Sequence, residues 1–226
     1  KYFPEDFQNI PLLTNYRSDR AIVENANDYM LKHYSPEAKR AVPFSRKNGK
    51  ICRKKLAKIK FDKTDILEDG LGDGRYQRIL LSEIRRANKF TELSEDPAKA
   101  ILPAAKLLKV CTKIIQQNRK KSVMLLHRHN FTSVAGVDLV VFERALKRVL
   151  LEEAIIDSER FAGQIRMMTM HKSKGLEADV VILLELDQAQ VLSSHPFATM
   201  FELFDDNLET EKADQHRLLY VALTRA

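Results

Sequence analysis

Cysteine is scarce: Cys52 and Cys111 are the only two in 226 residues, and they sit in unrelated contexts. That excludes a disulfide scaffold and points to a reducing compartment, the cytoplasm. Long apolar runs are missing too. None approaches the roughly 18 to 20 residues needed to span a bilayer. Lys1-Tyr2-Phe3-Pro4-Glu5 lacks a signal-peptide layout, so no membrane partner is expected. No G-x-x-x-x-G-K-[ST] occurs; Gly49-Lys50 lacks both the upstream glycine and the following hydroxyl, so the chain alone has no recognisable phosphate cradle. Gly70-x-Gly72-x-Gly74 fits neither that motif nor a dinucleotide fingerprint and reads as a turn. Without a G-x-S-x-G elbow or a Cys/His pairing, covalent catalysis has no candidate. His127 and His129 lie two apart, but no nearby cysteine or carboxylate completes a ligand set, and no metal site is expected. There is no internal repeat and no low-complexity linker.

What is present is a chain with 44% hydrophobic residues, long enough to bury a core, with a formal net charge of +7. A basic balance suits a polyanionic partner, although charge alone decides little. The segment 46–63, RKNGKICRKKLAKIKFDK, holds a single acid, Asp62. It is either a solvated strand edge guarded by lysines or a phosphate-facing patch.

Apolar spacing predicts helices over 15–32 (with Ser18 as the cap), 76–90, 98–118 (starting after Pro97 or at Pro103), 137–153 and 212–225. Strands are expected at 51–61, 122–128, 165–170 and 180–186, and a glycine-punctuated loop at 67–77. Strands alternating with helices imply an α/β fold, a parallel sheet covered on both faces. Ligands of such sheets gather beyond the carboxyl ends of the strands, where 127–130 and 169–177 are expected to lie.

TMHKSKGLEADVVIL, from Thr169 to Leu183, interrupts a Val/Ile-rich run with His171, Lys172, Ser173, Lys174 and Gly175. A buried strand needs none of these, so the stretch is a surface turn or meets a charged ligand. In the C-terminal RLLYVALTRA, helical spacing sets Arg217, Val221 and Arg225 in one row, with Leu218, Leu219, Ala222 and Leu223 available for a core. Arg225 then reads equally well as a helix-end cation.

Four stretches, LLTNYRSDRAIVENAN, LLHRHNFTS, MTMHKSKGLEADVVIL and RLLYVALTRA, occur in that order between Leu12 and Ala226. They resemble motifs IV, IVa, V and VI of the UvrD/Rep-like superfamily 1 DNA helicases; residues 35–120 match only in element layout. The resemblance implies that 1–226 is the second, C-terminal RecA-like motor domain of an ATP-dependent helicase that moves 3′ to 5′. The P-loop and the magnesium-binding acids would belong to the N-terminal RecA-like domain of the same protein, and this chain alone would be inactive. It implies that Arg17 and Arg225 reach the γ-phosphate of ATP, that Gly175 and Glu177 face the nucleotide, and that Thr169 and His171 face single-stranded DNA. Arg128, Asn130 and Ser133 match positions associated with the strand. Tyr16 and Tyr220 would hold the arginines. ATP with Mg2+ is expected, and no other small-molecule substrate. Larger relatives insert an accessory domain, whereas about thirty-five residues separate Asn130 from Arg166 here, as in the compact helicase IV-like branch. Many members carry acidic and arginine residues before the last motif. Here the run is Asp214-Gln215-His216-Arg217, which puts inter-motif salt bridges in doubt. Two rival readings are a non-catalytic nucleic-acid-binding module on the same scaffold and the helicase part of a helicase–nuclease.

Overall fold

Residues 13–52, 74–87, 100–128, 133–156, 163–184 and 208–226 are described in a computed structural model. In chain order the elements are β1 (Thr14–Asn15), α1 (Arg20–His33), β2 (Val42–Pro43), α2 (Arg75–Arg86), α3 (Leu102–Gln117), β3 (Val123–His127) and β4 (Ser133–Val134). They continue with β5 (Val137–Asp138), α4 (Leu139–Glu152), β6 (Ile165–Thr169), β7 (Val180–Leu183) and α5 (Leu208–Leu223).

β3 is buried at all five positions because it is the middle strand of a parallel sheet ordered β6-β3-β7. Alternation along it feeds two cores. Val123 and Leu125 pack with Ile165 and with buried residues of α2, α3 and α4, among them Leu80, Leu108, Phe142 and Leu146. Met124 and Leu126 face the opposite way, onto Leu218, Leu219 and Ala222 of α5 and Ala178. The sheet is therefore covered on both faces, as the α/β expectation required, and the architecture is consistent with a RecA-like helicase domain.

Local signals set most boundaries. Asp138 caps α4, its carboxylate accepting from the Val140 and Val141 N–H groups, so the helix starts two residues later than the periodicity suggested and Val137–Asp138 pairs with β4 instead. Pro103 sits in the first turn of α3, where a missing N–H costs nothing. α1 starts at Arg20 rather than near Asn15, and Ser18 does not cap it. Ser18 is fully buried and its hydroxyl donates to the Thr224 carbonyl at 3.0 Å, a tertiary contact that overrides the local one. α5 begins at Leu208, upstream of the predicted 212. Ile51 and Cys52 are not in a strand; the remainder of the 51–61 expectation, residues 53–63 of the basic segment, most of the 67–77 loop and His129 lie outside the described residues.

The outer helices α2 and α4 are joined by charge. Arg148 donates to Glu152 at 2.7 Å, to the Ser82 hydroxyl, and to Glu83 at 3.4 Å, while Arg86 reaches Glu83 at 3.3 Å. Glu83 is the unusual member, with only 5% of its side chain exposed. Hydrogen bonding to Glu152 first, then to Glu83, raises the Arg148 pKa above the ordinary arginine value. Removing Arg148 strips a buried carboxylate of one of the two cations that reach it among the described residues. Arg148→Ala is expected to cost about 1–3 kcal/mol in denaturant unfolding, with Arg148→Met no better, because the aliphatic stem cannot satisfy Glu83. A change within about 0.5 kcal/mol would mark the network as solvated surface charge.

Candidate functional site

A parallel pair needs a crossover that returns from the carboxyl end of one strand to the amino end of the next. Between β6 and β7 that return is made by residues 170–179. The Met170 N–H donates to the His127 carbonyl at 2.8 Å, at the carboxyl end of β3. The Val180 N–H donates to the Ser122 carbonyl at 3.0 Å, at its amino end, and the Asp179 carboxylate accepts from both the N–H and the hydroxyl of Ser122. That capping lowers the Asp179 pKa, the Ser122 hydroxyl being the larger cause. The five residues of β3 separate these anchor points by about 16 Å. Thr169 and Glu177 thus lie at opposite edges of the sheet. The expectation that 169–177 gathers at the carboxyl edge holds for its first residues and fails for its last, because the chain must travel back before β7 can pair in parallel.

At the amino edge three distant segments meet. The Arg17 Nε donates to the Glu177 carboxylate at 2.5 Å. The backbone of Arg225 accepts from the Ala178 N–H at 3.1 Å, and its guanidinium donates to the Leu176 carbonyl at 3.3 Å and the Val221 carbonyl at 3.0 Å. Arg17 and Glu177 are open to solvent, whereas Arg225 is only 8% exposed. Burial lowers the Arg225 pKa and the positive charge of Arg17 lowers it further, against the opposing pull of Glu177. Two guanidinium groups thus stand near one carboxylate, which is ion-paired with Arg17 while Arg225 donates to backbone carbonyls, and the cluster retains an excess of positive charge beside an open surface. Such a place attracts anions.

The arginines are presented by a small framework. Asn15 Oδ1 accepts from the N–H groups of Arg17 and Ser18 at 2.9 and 3.0 Å, closing a turn ahead of α1. The half-buried Tyr220 hydroxyl hydrogen-bonds the Asn15 side chain, which offsets part of the burial that raises its pKa. Tyr220 is therefore structural, as expected. Tyr16 is not: its ring is 71% exposed and leans on the equally open Phe44, with centroids 4.8 Å apart. Sequence reading missed these faces, since an aromatic beside an arginine carries no sign of which way it points.

At the carboxyl edge, Thr169 is enclosed rather than displayed. It is 4% exposed, and its hydroxyl accepts from the Lys172 N–H at 3.2 Å, shaping a helical turn that leaves His171, Lys172 and Lys174 in solvent. Ser173, fully buried, closes the turn by donating to the Met170 carbonyl. Gly175 ends it with φ of +83°, a backbone that side chains with a Cβ seldom adopt. Gly175 thus serves the turn, and nothing surrounds the position a Cβ would take. Arg128 is half-buried beyond β3, near enough to Tyr29 to lower its pKa against the larger, raising effect of burial. Ser133 is exposed in the β4–β5 hairpin, and Asn130 lies outside the described residues.

The two edges are tied by antiparallel packing of α1 on α5. Besides Ser18 on Thr224, the Tyr29 hydroxyl and His216 Nδ1 are 2.8 Å apart, and Arg217 donates to the Tyr34 hydroxyl at 3.0 Å while lying over its ring. Where ion pairs were in doubt, aromatic–histidine and cation–aromatic contacts hold the helices together. Among the described residues Arg217 has an ion pair with Asp214, on its own helix. No cluster of three metal-ligating side chains exists among the described residues.

In comparison with known protein families, the model for the UvrD-like helicase C-terminal domain matches residues 73–226. No curated protein and no solved structure matches the chain.

His216 makes the seam sensitive to acid. Burial first, and the neighbouring His33 second, hold its pKa below the ordinary value. The unfolded chain therefore takes up the proton more readily than the folded one. The stabilising contribution of neutral His216 is intact above about pH 6.5 and is lost as the pH falls through the lower folded-state value. Thermal unfolding at pH 7.5 and 5.5 should show a drop in midpoint that is smaller in His216→Gln. An equal drop in both would assign the acid sensitivity elsewhere.

Proposed function

The chain belongs to the UvrD-like helicase C-terminal domain family, and from that premise we propose that it is the second RecA-like motor domain of an ATP-dependent DNA helicase or translocase moving 3′ to 5′ on single-stranded DNA. The observation that carries the reading is the convergence of Arg17, Glu177 and Arg225 at one sheet edge, from segments far apart in sequence. Binding a nucleic acid would not require a buried arginine to be brought beside an exposed arginine–carboxylate pair. A phosphoryl group would: its charge spreads over oxygens in a plane, and a guanidinium matches that with a rigid fork that stays ionised.

In this reading Arg17 turns from Glu177 to the γ-phosphate of ATP, and Arg225 exchanges the Leu176 carbonyl for the same group. Glu177 accepts from the ribose hydroxyls, with Gly175 giving it a tight approach. The open Tyr16 face, beside Arg17, offers a stacking surface for the base. The residues of this edge fit phosphate but not a metal, because their one carboxylate is engaged by arginine. Magnesium and the β-phosphate therefore fall to an N-terminal RecA-like domain with a P-loop, across a cleft from this edge. Residues 1–226 act as one motor domain without an accessory insertion.

Single-stranded DNA is assigned to the other edge. His171 and Ser133 are exposed there, Arg128 is half-exposed and Thr169 acts through the turn it shapes; Asn130, outside the described residues, is proposed for the same strand from its motif alone. Since 170–179 joins the two edges, a shift of Glu177 on nucleotide binding is transmitted along one short segment to His171.

The rival, a non-catalytic module, has one observation in its favour: the Arg225 Nε bond to the Val221 carbonyl is what a helix-end cation would make. Magnitude separates the two. As a helix-end cation Arg225 is worth about 0.3–1 kcal/mol of stability and nothing to chemistry. As an arginine finger it contributes about 10³-fold or more to turnover, on the order of 4 kcal/mol at the transition state. In the intact enzyme, Arg225→Ala and Arg225→Lys should both abolish DNA-stimulated ATP hydrolysis while the thermal midpoint stays close to that of the parent. Near-normal turnover in either variant would remove the finger role.

For the strand path, titration of a labelled oligonucleotide should show affinity falling steeply with salt. Arg128→Ala is expected to reduce the salt slope by about 1, as loss of one phosphate contact would. An unchanged slope, or binding indifferent to salt, would move the path elsewhere.

A further inference from the structure

Arg166 stands in the wrong company for an arginine. Along β6, Ile165 and Met167 join the core with α2, α3 and α4, so alternation turns Arg166 toward the α5 face, where its strand partners are Met124 and, beyond it, Val181. A methionine occupies the next position on that face, Met168, and packs there as an apolar side chain should. The side chain is half-buried there, and whichever of its donors are shut off from water must find partners. It finds one: Nη2 donates to the Glu177 carbonyl at 2.7 Å, across the face of β3. Its Nε is buried and has no partner among the described residues. An apolar residue would carry no such cost, so packing does not account for the arginine.

Its contact does. The backbone of the last stretch of the crossover, after the turn, is held at three consecutive residues: Leu176 by the Arg225 guanidinium, Glu177 by Arg166, and Ala178 by the Arg225 carbonyl. The Glu177 side chain, in contrast, is 60% exposed and has Arg17 as its ion-pair partner. If Arg17 leaves for a phosphate, the carboxylate loses that partner at the moment it must face the ribose. We infer that Arg166 is a positioning residue that fixes Glu177 through its carbonyl and so keeps the carboxylate in place while Arg17 is engaged elsewhere. The inference rests on the nucleotide-site reading above and extends it to a residue on a strand, outside the motif-bearing Arg17, Glu177 and Arg225 of that edge.

The test uses the intact enzyme, with ATP and 2′,3′-dideoxy-ATP as paired substrates. Arg166→Gln should raise the KM for ATP about tenfold, the worth of roughly one good hydrogen bond, and change kcat far less. The rise should vanish with the dideoxy nucleotide, which gives Glu177 nothing to hold. Arg166→Lys should recover part of the loss, and Arg166→Gln should add nothing on top of Glu177→Gln. A similar KM rise with both nucleotides, or a loss that tracks a lowered thermal midpoint, would show a merely structural arginine and overturn the inference. So would parental KM values in Arg166→Gln while Glu177→Gln still raises the KM for ATP; in that case the nucleotide-site reading survives alone. If Glu177→Gln itself leaves ATP and dideoxy-ATP undistinguished from the parent, the reading fails and the inference with it.

Discussion

The return of the chain over β3 is the constraint on which the rest depends. Strands β6 and β7 both pair in parallel with β3, so the segment between them has to begin at one edge of the sheet and finish at the other. Hydrogen bonds to His127 and Ser122, at the two ends of the same strand, fix where it leaves and where it arrives. A ten-residue segment, 170–179, is short for that distance once it includes a helical turn, and Gly175 is where the turn gives way to an extended run. Basic side chains are left open at one end of the sheet and a carboxylate is delivered at the other.

The second constraint is the antiparallel seam of α1 and α5. Arg17 precedes the first helix and Arg225 follows the second, so the pairing that puts the start of one beside the end of the other puts the arginines together. A buried hydroxyl, a Tyr–His hydrogen bond and a guanidinium over a tyrosine ring hold that register. The first two contacts are neutral and avoid the desolvation that a buried ion pair would incur, although a histidine among them ties the register to pH. The arginines at the end of the seam are like charges in proximity, offset by Glu177 on Arg17 and by the backbone carbonyls to which Arg225 donates.

Much was legible in the order of residues. Apolar periodicity located the helices later observed at Arg20–His33, Arg75–Arg86, Leu102–Gln117 and Leu139–Glu152, and the three strands of the sheet, because burial on both faces demands near-continuous apolar runs whose length limits the choice. Their ends were less legible: Ser18 has the chemistry of a helix cap, yet its hydroxyl is taken by a carbonyl 206 residues away. Local propensity cannot see such a competitor. The side-chain types at the candidate site could also be named, since arginine, glutamate and glycine are there for their chemistry.

What the sequence by itself determined is therefore the inventory: an α/β chain of this family, with an arginine at each end of a helix pair and a charged interruption between two strands. Tertiary structure alone decided the arrangement. It separated Thr169 from Glu177 though they are eight residues apart, joined Arg17 to Glu177 across 160, enclosed Thr169 and opened Tyr16. The reason is physical. Periodicity records which side of an element is apolar, but the edge of a sheet at which a loop ends is set by the direction of strand pairing, and that is a property of elements packed together rather than of any one of them.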